Sequence, residues 1–283
     1  MKQLNPILIL VFALPFTACV ETDFEFDNYQ SEIVVDGWIE PNQYAQVFLT
    51  LSVPYFSEVD SVSLRNYALT KAKVTLISDA ETEILTLKPN KDYFPPYYYS
   101  STQIKGEVGK SYQLIVEYMG KTATAITSIP EPVQLDNTWF ALEPGKDSLG
   151  FVYIKFTDNP NQKNYYRTLT QIKNTDAKYI ANYLPNFNDQ FFNGQHVEVA
   201  LYKGNKTSTD KTDEIFYTLG DTISLKFCAV DKQAYDFWYS FQKESMSAGN
   251  PFASTNARVA SNITNGLGVW CGYGASYYQI IAR

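Results

Sequence analysis

Histidine is nearly absent: the chain has one in 283 residues. That excludes most metal and acid–base chemistry built on paired imidazoles. Three cysteines are too few for a disulfide-stapled scaffold. Bases are outnumbered, 23 against 30 acids, for a net charge of −7; a binder of phosphate backbones needs the opposite balance, so no nucleic-acid partner is expected. With 14 Gly and 13 Pro the chain is no collagen-like or linker protein, and 45% apolar against 19% charged residues is the balance of a folded chain, not of a disordered one. The signatures H-E-x-x-H, G-x-S-x-G, the P-loop and the dinucleotide fingerprint are all missing. No enzyme and no cofactor is therefore expected; a hydrolase with scattered residues is the residual alternative. What the chain has in excess is aromatic residues, 16% of it, with 22 Tyr.

The only run resembling a targeting segment is at the start. Residues 1–18 carry Lys2, then an apolar stretch over 7–14 that is too short to span a bilayer and ends at Pro15. Phe16-Thr17-Ala18-Cys19 resembles the bacterial lipobox, with Phe16 bulkier than the Leu usual there. The expectation is cleavage ahead of Cys19 and lipid on its thiol, an anchor in which each buried methylene contributes about 0.8 kcal/mol; ordinary cleavage leaving a free thiol is the alternative. Residues 19–30 read as an acidic tether, with Glu21, Asp23, Glu25 and Asp27 and no base among them. These four resemble the export signal that routes Bacteroidota lipoproteins to the cell surface. The other reading is a solvated spacer. No later run is long and apolar enough for a second span.

Beyond the tether the pattern is β. Short alternating runs at 31–39, 44–52, 72–78, 82–87, 97–102, 111–118 and 122–127 are separated by turn residues such as Pro41-Asn42 and Met119-Gly120. Gly37 inside the first of them reads as a bulge. Seven such strands predict an immunoglobulin-like or transthyretin-like β-sandwich over 31–130, closed by Ile129-Pro130-Glu131-Pro132. A second β-rich domain over 131–283 is expected from runs at 137–142, 150–157, 165–172, 197–202, 214–219, 222–230, 259–263, 266–271 and 277–282. It carries one helix, 231–247, with Asp231 as N-cap and Ala234, Phe237, Trp238 and Phe241 on one face. The predicted class is all-β dominated.

Glu32-Ile33-Val34-Val35-Asp36-Gly37-Trp38-Ile39, Val53-Pro54-Tyr55-Phe56, Asn164-Tyr165-Tyr166-Arg167 and Asn265-Gly266-Leu267-Gly268-Val269-Trp270-Cys271-Gly272-Tyr273 together resemble a Bacteroidota outer-membrane lipoprotein family, domain of unknown function 4249. Cys271 stands where that family usually has Gly. The resemblance spans nearly the whole mature chain. It implies a lipid-anchored protein of the outer membrane, facing the cell surface and keeping company with TonB-dependent transporters. It implies no reaction. The expected function is thus a non-enzymatic accessory binding or docking subunit in nutrient uptake; the alternative is a structural or assembly component of another envelope complex, or an adhesin.

Candidate sites follow from residue type. Tyr93, Phe94, Tyr97, Tyr98 and Tyr99 form an aromatic cluster suited to a peptide or glycan ligand, since tyrosine offers a flat apolar face and a hydroxyl at low entropic cost. In a strand one side of such a run is core, which leaves Tyr93 and Phe94, ahead of two prolines, as the stronger candidates. Gly266, Gly268, Gly272 and Gly274 serve either close backbone packing beside Trp270 and Tyr273 or a ligand cradle. Cys228 and Cys271 are either a disulfide or two buried thiols. Asp-Ser-apolar triplets put candidate O-glycosylation at Ser61 and Ser148. His196 reads as a surface residue. No metal site is expected, because neither Asp158-Asn159-Pro160-Asn161 nor 210–213 follows a calcium-loop pattern.

Overall fold

Alternation decides where the first strand sends its side chains. In the computed structural model β1 (Ile33–Ile39) buries Ile33, Val35, Gly37 and Ile39 and turns Val34, Asp36 and Trp38 the other way. The structure describes residues 29–54, 63–79, 81–204, 215–247 and 258–283. Residues 1–18, Cys19, Glu21, Asp23, Glu25, Asp27, Tyr55, Phe56, Ser61 and residues 210–213 lie outside them. Of the two compact units, Met1–Gln30 and Ser31–Arg283, every element below belongs to the second.

The protein is an all-β dominated, multi-sheet fold with one long helix. β1 pairs with β2 (Tyr44–Leu51), and the sheet continues through β6 (Tyr97–Lys105) to β5 (Thr86–Pro89). A second sheet is formed by β3 (Lys73–Ser78), β4 (Glu81–Ile84), β7 (Ser111–Tyr118) and β8 (Lys121–Ser128), in the order β4-β3-β7-β8. A short helix, α1 (Ser63–Asn66), precedes β3. Val35, Val47, Leu76, Tyr112, Leu114 and Trp270 are among the residues of the core shared by these two sheets.

The run expected as one strand over 82–87 divides between the sheets. Leu85 is the crossover: buried, with its N–H donating to the Val74 carbonyl at 2.8 Å. Glu83 then ties the sheets together. Its carboxylate accepts from the N–H groups of Ile104 (2.8 Å) and Gln103 (3.1 Å) and from the Thr102 hydroxyl (2.8 Å). Burial opposes its charge, but these donors outweigh burial and hold the carboxyl below its ordinary 4.5.

The second half adds two sheets. β9 (Leu135–Leu142), β10 (Leu149–Thr157), β13 (His196–Leu201) and β14 (Tyr217–Thr218) form one, centred on β10. β11 (Tyr165–Ile172), β12 (Ile180–Asn188), β15 (Thr222–Ala229) and β17 (Gly274–Ile281) form the other, in the order β12-β11-β15-β17. Their shared core includes Val152, Ile154, Phe156, Tyr166, Leu225 and Phe227. The helix is α2 (Lys232–Ser247), capped as expected: Asp231 Oδ1 accepts from the Ala234 N–H at 2.8 Å. Ala234 and Tyr235 are buried, whereas Phe241 is exposed.

Several expectations change. Gly37 is no bulge, because its register with β2 is unbroken; a Cβ there would lie 3.0 Å from Trp270 Cε3. β12 has no counterpart in the alternation pattern. It is an edge strand containing Pro185, with Leu184 at φ 57° and a register break opposite β11, features that edge strands tolerate and that hide them from pattern reading. Residues 259–263 are not a strand. Instead the Asn262 amide takes the place of a ladder, accepting from the Trp270 N–H (2.9 Å) and donating to the Trp270 carbonyl (2.7 Å).

The division at residue 130 separates β1–β8 from β9–β15 but does not hold to the C-terminus. β16 (Leu267–Gly272) lies parallel beside β1, from Val34 opposite Leu267 to Ile39 opposite Gly272, so it completes the first sheet. Its glycines serve backbone approach: at Gly272 a Cβ would sit 2.1 Å from the Ser128 carbonyl oxygen. Cys228 and Cys271 are free and buried in a third core with Val230, Tyr235, Val269 and Tyr273; the disulfide alternative is not what this structure holds. Burial pushes the Cys228 thiol up to about 12 and raises Cys271 as well.

Two outcomes test this packing. Trp270 is fully buried and donates its indole N–H to the Tyr112 carbonyl at 2.9 Å, so Trp270→Ala is expected to cost about 3–5 kcal/mol in urea denaturation; a loss under ~1 kcal/mol would place the core elsewhere. Because the Glu83 carboxyl is depressed on folding, its contribution is present above pH 4.5 and lost as pH falls through its folded value. Glu83→Gln should therefore be less stable than the parent at pH 7, with the gap closing below pH 4.5.

Candidate functional site

The faces turned away from the two sandwich cores meet each other. From β1 come Asp36 and Trp38, with Glu40 just past its end; from β2, Gln46 and Phe48. Opposite them, alternation on β11 turns Arg167 and Leu169 outward, and the same face carries Lys226 of β15 and Tyr277 of β17, which are register partners. Lys178 and Tyr179 approach from just before β12, and Trp238 from α2. They enclose a cleft of about 390 Å³, within the ~300–1,000 Å³ of small-molecule sites.

One wall is aromatic. Phe48 stacks with Tyr93 (4.7 Å between centroids), Tyr98 (5.6 Å) and Trp38 (5.7 Å). Tyr93 is presented by a loop that closes on itself: the Asn90 N–H donates to the Pro96 carbonyl at 2.9 Å, and the Asp92 N–H to Asn90 Oδ1 at 3.0 Å. The Lys178 ammonium lies 4.1 Å from the centre of the Tyr93 ring, a cation–π contact. Burial, then the acids Asp36 and Glu40, raise the Tyr93 hydroxyl above its ordinary 10.

The other wall is ionic. Lys226 pairs with Glu40, and both are buried. The Tyr277 hydroxyl donates to the second Glu40 oxygen, and Lys226 also lies 4.6 Å from the Tyr273 ring centre. Burial, followed by the Glu40 charge, pushes the Tyr277 hydroxyl far up. Glu40 is thus committed to protein partners.

Asp36 is the contrary case. It is exposed to water at the cleft mouth, although the walls beside it desolvate it in part. That desolvation raises its carboxyl above the ordinary 3.8, while Arg167 and Lys178 pull the other way. Arg167 is buried, stacks at 3.7 Å on Trp238, and donates from Nη1 to Asn186 Oδ1 at 2.7 Å.

Among the described residues no Ser, Thr, Cys or His lines the cleft. With Glu40 engaged, its carboxylates do not form a free pair for hydrolysis. The arrangement is equipped to hold a ligand having both an apolar face and polar groups.

Among the residues marked out by sequence, Tyr93 and Phe94 line the cleft and Tyr98 backs it through Phe48. Tyr97 is exposed outside it. Tyr99 belongs to the first core, its hydroxyl donating to the Leu69 carbonyl at 2.9 Å. Ser148 is exposed in the turn before β10. His196 is exposed beside Thr157, outside the cleft. Asp158 accepts from the Tyr166 hydroxyl and from the Gly194 N–H at 2.8 Å. Among the described residues no group of three or more His, Cys, Asp or Glu is placed to hold a metal ion. Sequence reasoning missed Asp36, Trp38, Glu40, Arg167, Lys178 and Lys226 as site residues. A signal existed for some of them: Asp36, Trp38 and Glu40 recur at every second position of a buried strand, and Lys226 interrupts an apolar run.

The model of the family described as "Domain of unknown function (DUF4249)" matches residues 20–278, and the chain belongs to that family. No curated protein matches it. Among solved structures it is similar to bovine butyrophilin, with 9% identity over 70% of this chain and 92% of that one and a TM-score of 0.20. A score that low carries no argument about fold or function.

The ionic wall makes a testable claim. Glu40→Gln leaves Lys226 buried without its counter-ion, and is expected to cost about 3–5 kcal/mol. Adding Lys226→Met should recover most of the loss, because the pair then leaves together. Urea denaturation of both variants checks this; a near-neutral single variant would mean that the pair is solvated.

Proposed function

We propose that this member of the DUF4249 family is a surface-exposed outer-membrane lipoprotein, anchored through lipid on Cys19, that works as a non-enzymatic binding subunit beside a TonB-dependent transporter. The observation carrying the reading is the cleft. It combines the half-buried aromatics Trp38 and Tyr93 with charged groups, Asp36 and Lys178, that have no hydrogen bond or ion pair within the described residues. A carboxylate and an ammonium left on facing walls without a hydrogen bond or counter-ion add little to the fold, and such departures from local consistency are expected at functional sites. The lipobox-like Phe16-Thr17-Ala18-Cys19 and the acidic Glu21, Asp23, Glu25 and Asp27 support the anchored, outward-facing placement. A peptide or glycan suits the mixed lining. Among the described residues no helix is long and apolar enough to cross a membrane, so on this reading the lipid supplies the anchor.

Affinity purification of the tagged chain from detergent-solubilised membranes tests the proposal. Reproducible recovery of a TonB-dependent transporter is expected, together with loss of the chain from the membrane fraction in Cys19→Ser. Repeated recovery without any transporter would sink the partnership, and an unmodified mature N-terminus would sink the anchor.

A further inference from the structure

The charges lining the cleft do not balance, and their excess runs against that of the chain. Asp36 and Glu40 face Arg167, Lys178 and Lys226. Glu40 and Lys226 neutralise each other. Two cations then remain against Asp36, in a chain with seven more acids than bases.

Arg167 sharpens the point. A guanidinium stays charged at any physiological pH and offers five N–H donors. This one is 5% exposed and has no ion pair among the described residues, and its Nε has no hydrogen-bond partner. A buried cation with unused donors is costly unless something outside the protein completes it. A carboxylate does so well, because a hydrogen bond between two charged groups is roughly twice as strong as a neutral one. Lys178, with only the Tyr93 ring against its ammonium, is a second counter-charge on the same ligand.

The rest of the lining narrows the class. Gln43, Gln46, Tyr44 and Tyr179 add amide and hydroxyl groups, which an alkyl chain would leave unsatisfied. Asp36 would repel a dianionic phosphate but accepts from a hydroxyl. An ammonium would meet Arg167 and Lys178 as like charges in the same lining. We infer that the cleft binds an anionic saccharide of the uronate type, its carboxylate held by Arg167 and Lys178, its ring against Trp38 and Tyr93, and its hydroxyls toward Asp36 and Gln46. This rests on the cleft being a ligand site and adds the charge and chemical class of the ligand.

The test is a titration of the full mature chain with trigalacturonate, its methyl ester and a phenylalanine dipeptide, followed by calorimetry and tryptophan fluorescence. The acid should bind, weaken with added salt, and bind at least about tenfold more tightly than the ester, the scale of a hydrogen bond to a charged group. Lys178→Ala should lose about tenfold for the acid and nothing for the ester. Arg167→Lys, which keeps the charge but loses the planar guanidinium and its donors, should also weaken the acid, and Trp38→Ala should weaken both saccharides. Equal binding of acid and ester, both sensitive to Trp38→Ala, overturns the anionic assignment while leaving the ligand site standing. Preferential binding of the dipeptide overturns the saccharide class. Binding of none of the three overturns this assignment and the ligand-site reading together.

Discussion

The parallel pairing of β16 with β1 is the constraint from which the rest of the architecture follows. Both strands on either side of Tyr273 are short, yet they belong to different sheets: β16 completes the first sandwich and β17 the edge of the second. With one buried residue between them, and its N–H donating to the Ile39 carbonyl at 2.9 Å, the outward faces of β1 and β15 have no choice but to confront each other. The chain travels from β1 through β15 and α2 before β16 returns, so this contact is among the longest-range in the fold and closes one of its largest loops. Once made, it converts two solvent-facing sheet surfaces into an interior. Part of that interior is filled by Cys228, Val269, Cys271 and the first turns of α2. The remainder is left open as the cleft.

That history explains which features could be read in advance. Strand existence, the capped helix and the turn residues are local and were legible: Tyr165–Ile172 and Ser111–Tyr118 fall on the alternating runs themselves. β12 was not, since Pro185 and the left-handed Leu184 break the period from which a strand is recognised. The strand expected at 259–263 failed for another reason: Val259 and Ile263 suit a strand, but the Asn262 side-chain amide between them had taken over the pairing. The site was legible only in part. Tyr93 and Phe94 announced themselves as a cluster, whereas Asp36, Arg167, Lys178 and Lys226 come from four separate segments that meet only because β16 brings the sheets together.

Charge burial in the cleft is hard to account for by stability alone. Replacing a buried ion pair by packed apolar residues is often neutral or favourable, and the third core beside the cleft shows that this seam accepts Val, Cys and Tyr readily. The pair between Glu40 and Lys226 has a geometric consequence that apolar contact lacks. It fixes the first residue after β1 to the middle of β15 with Tyr277 as a third point, which sets the width of the cleft against sliding of one sheet over the other. Arg167 ties β11 to β12 through Asn186 and to α2 through Trp238, whereas Asp36 makes no hydrogen bond or ion pair among the described residues.

The tyrosine excess divides along the same line. Tyr99, Tyr112, Tyr166 and Tyr217 are core residues whose hydroxyls find protein partners, at Leu69, Glu107, Asp158 and Asn182 respectively. A phenol buried in this way fills volume as a phenylalanine would and anchors a strand or loop besides. Tyr93, Tyr179, Tyr273 and Tyr277 line the cleft instead. Composition cannot separate the two groups because the same amphipathic ring serves both purposes. What separates them is parity along a strand and the sheet that each strand is made to face, and both are settled by pairings far away in the chain. In a fold of this kind, then, the cleft is a by-product of how the outer faces of two sandwiches are closed, and its chemistry is written in the residues that each strand keeps out of its own core.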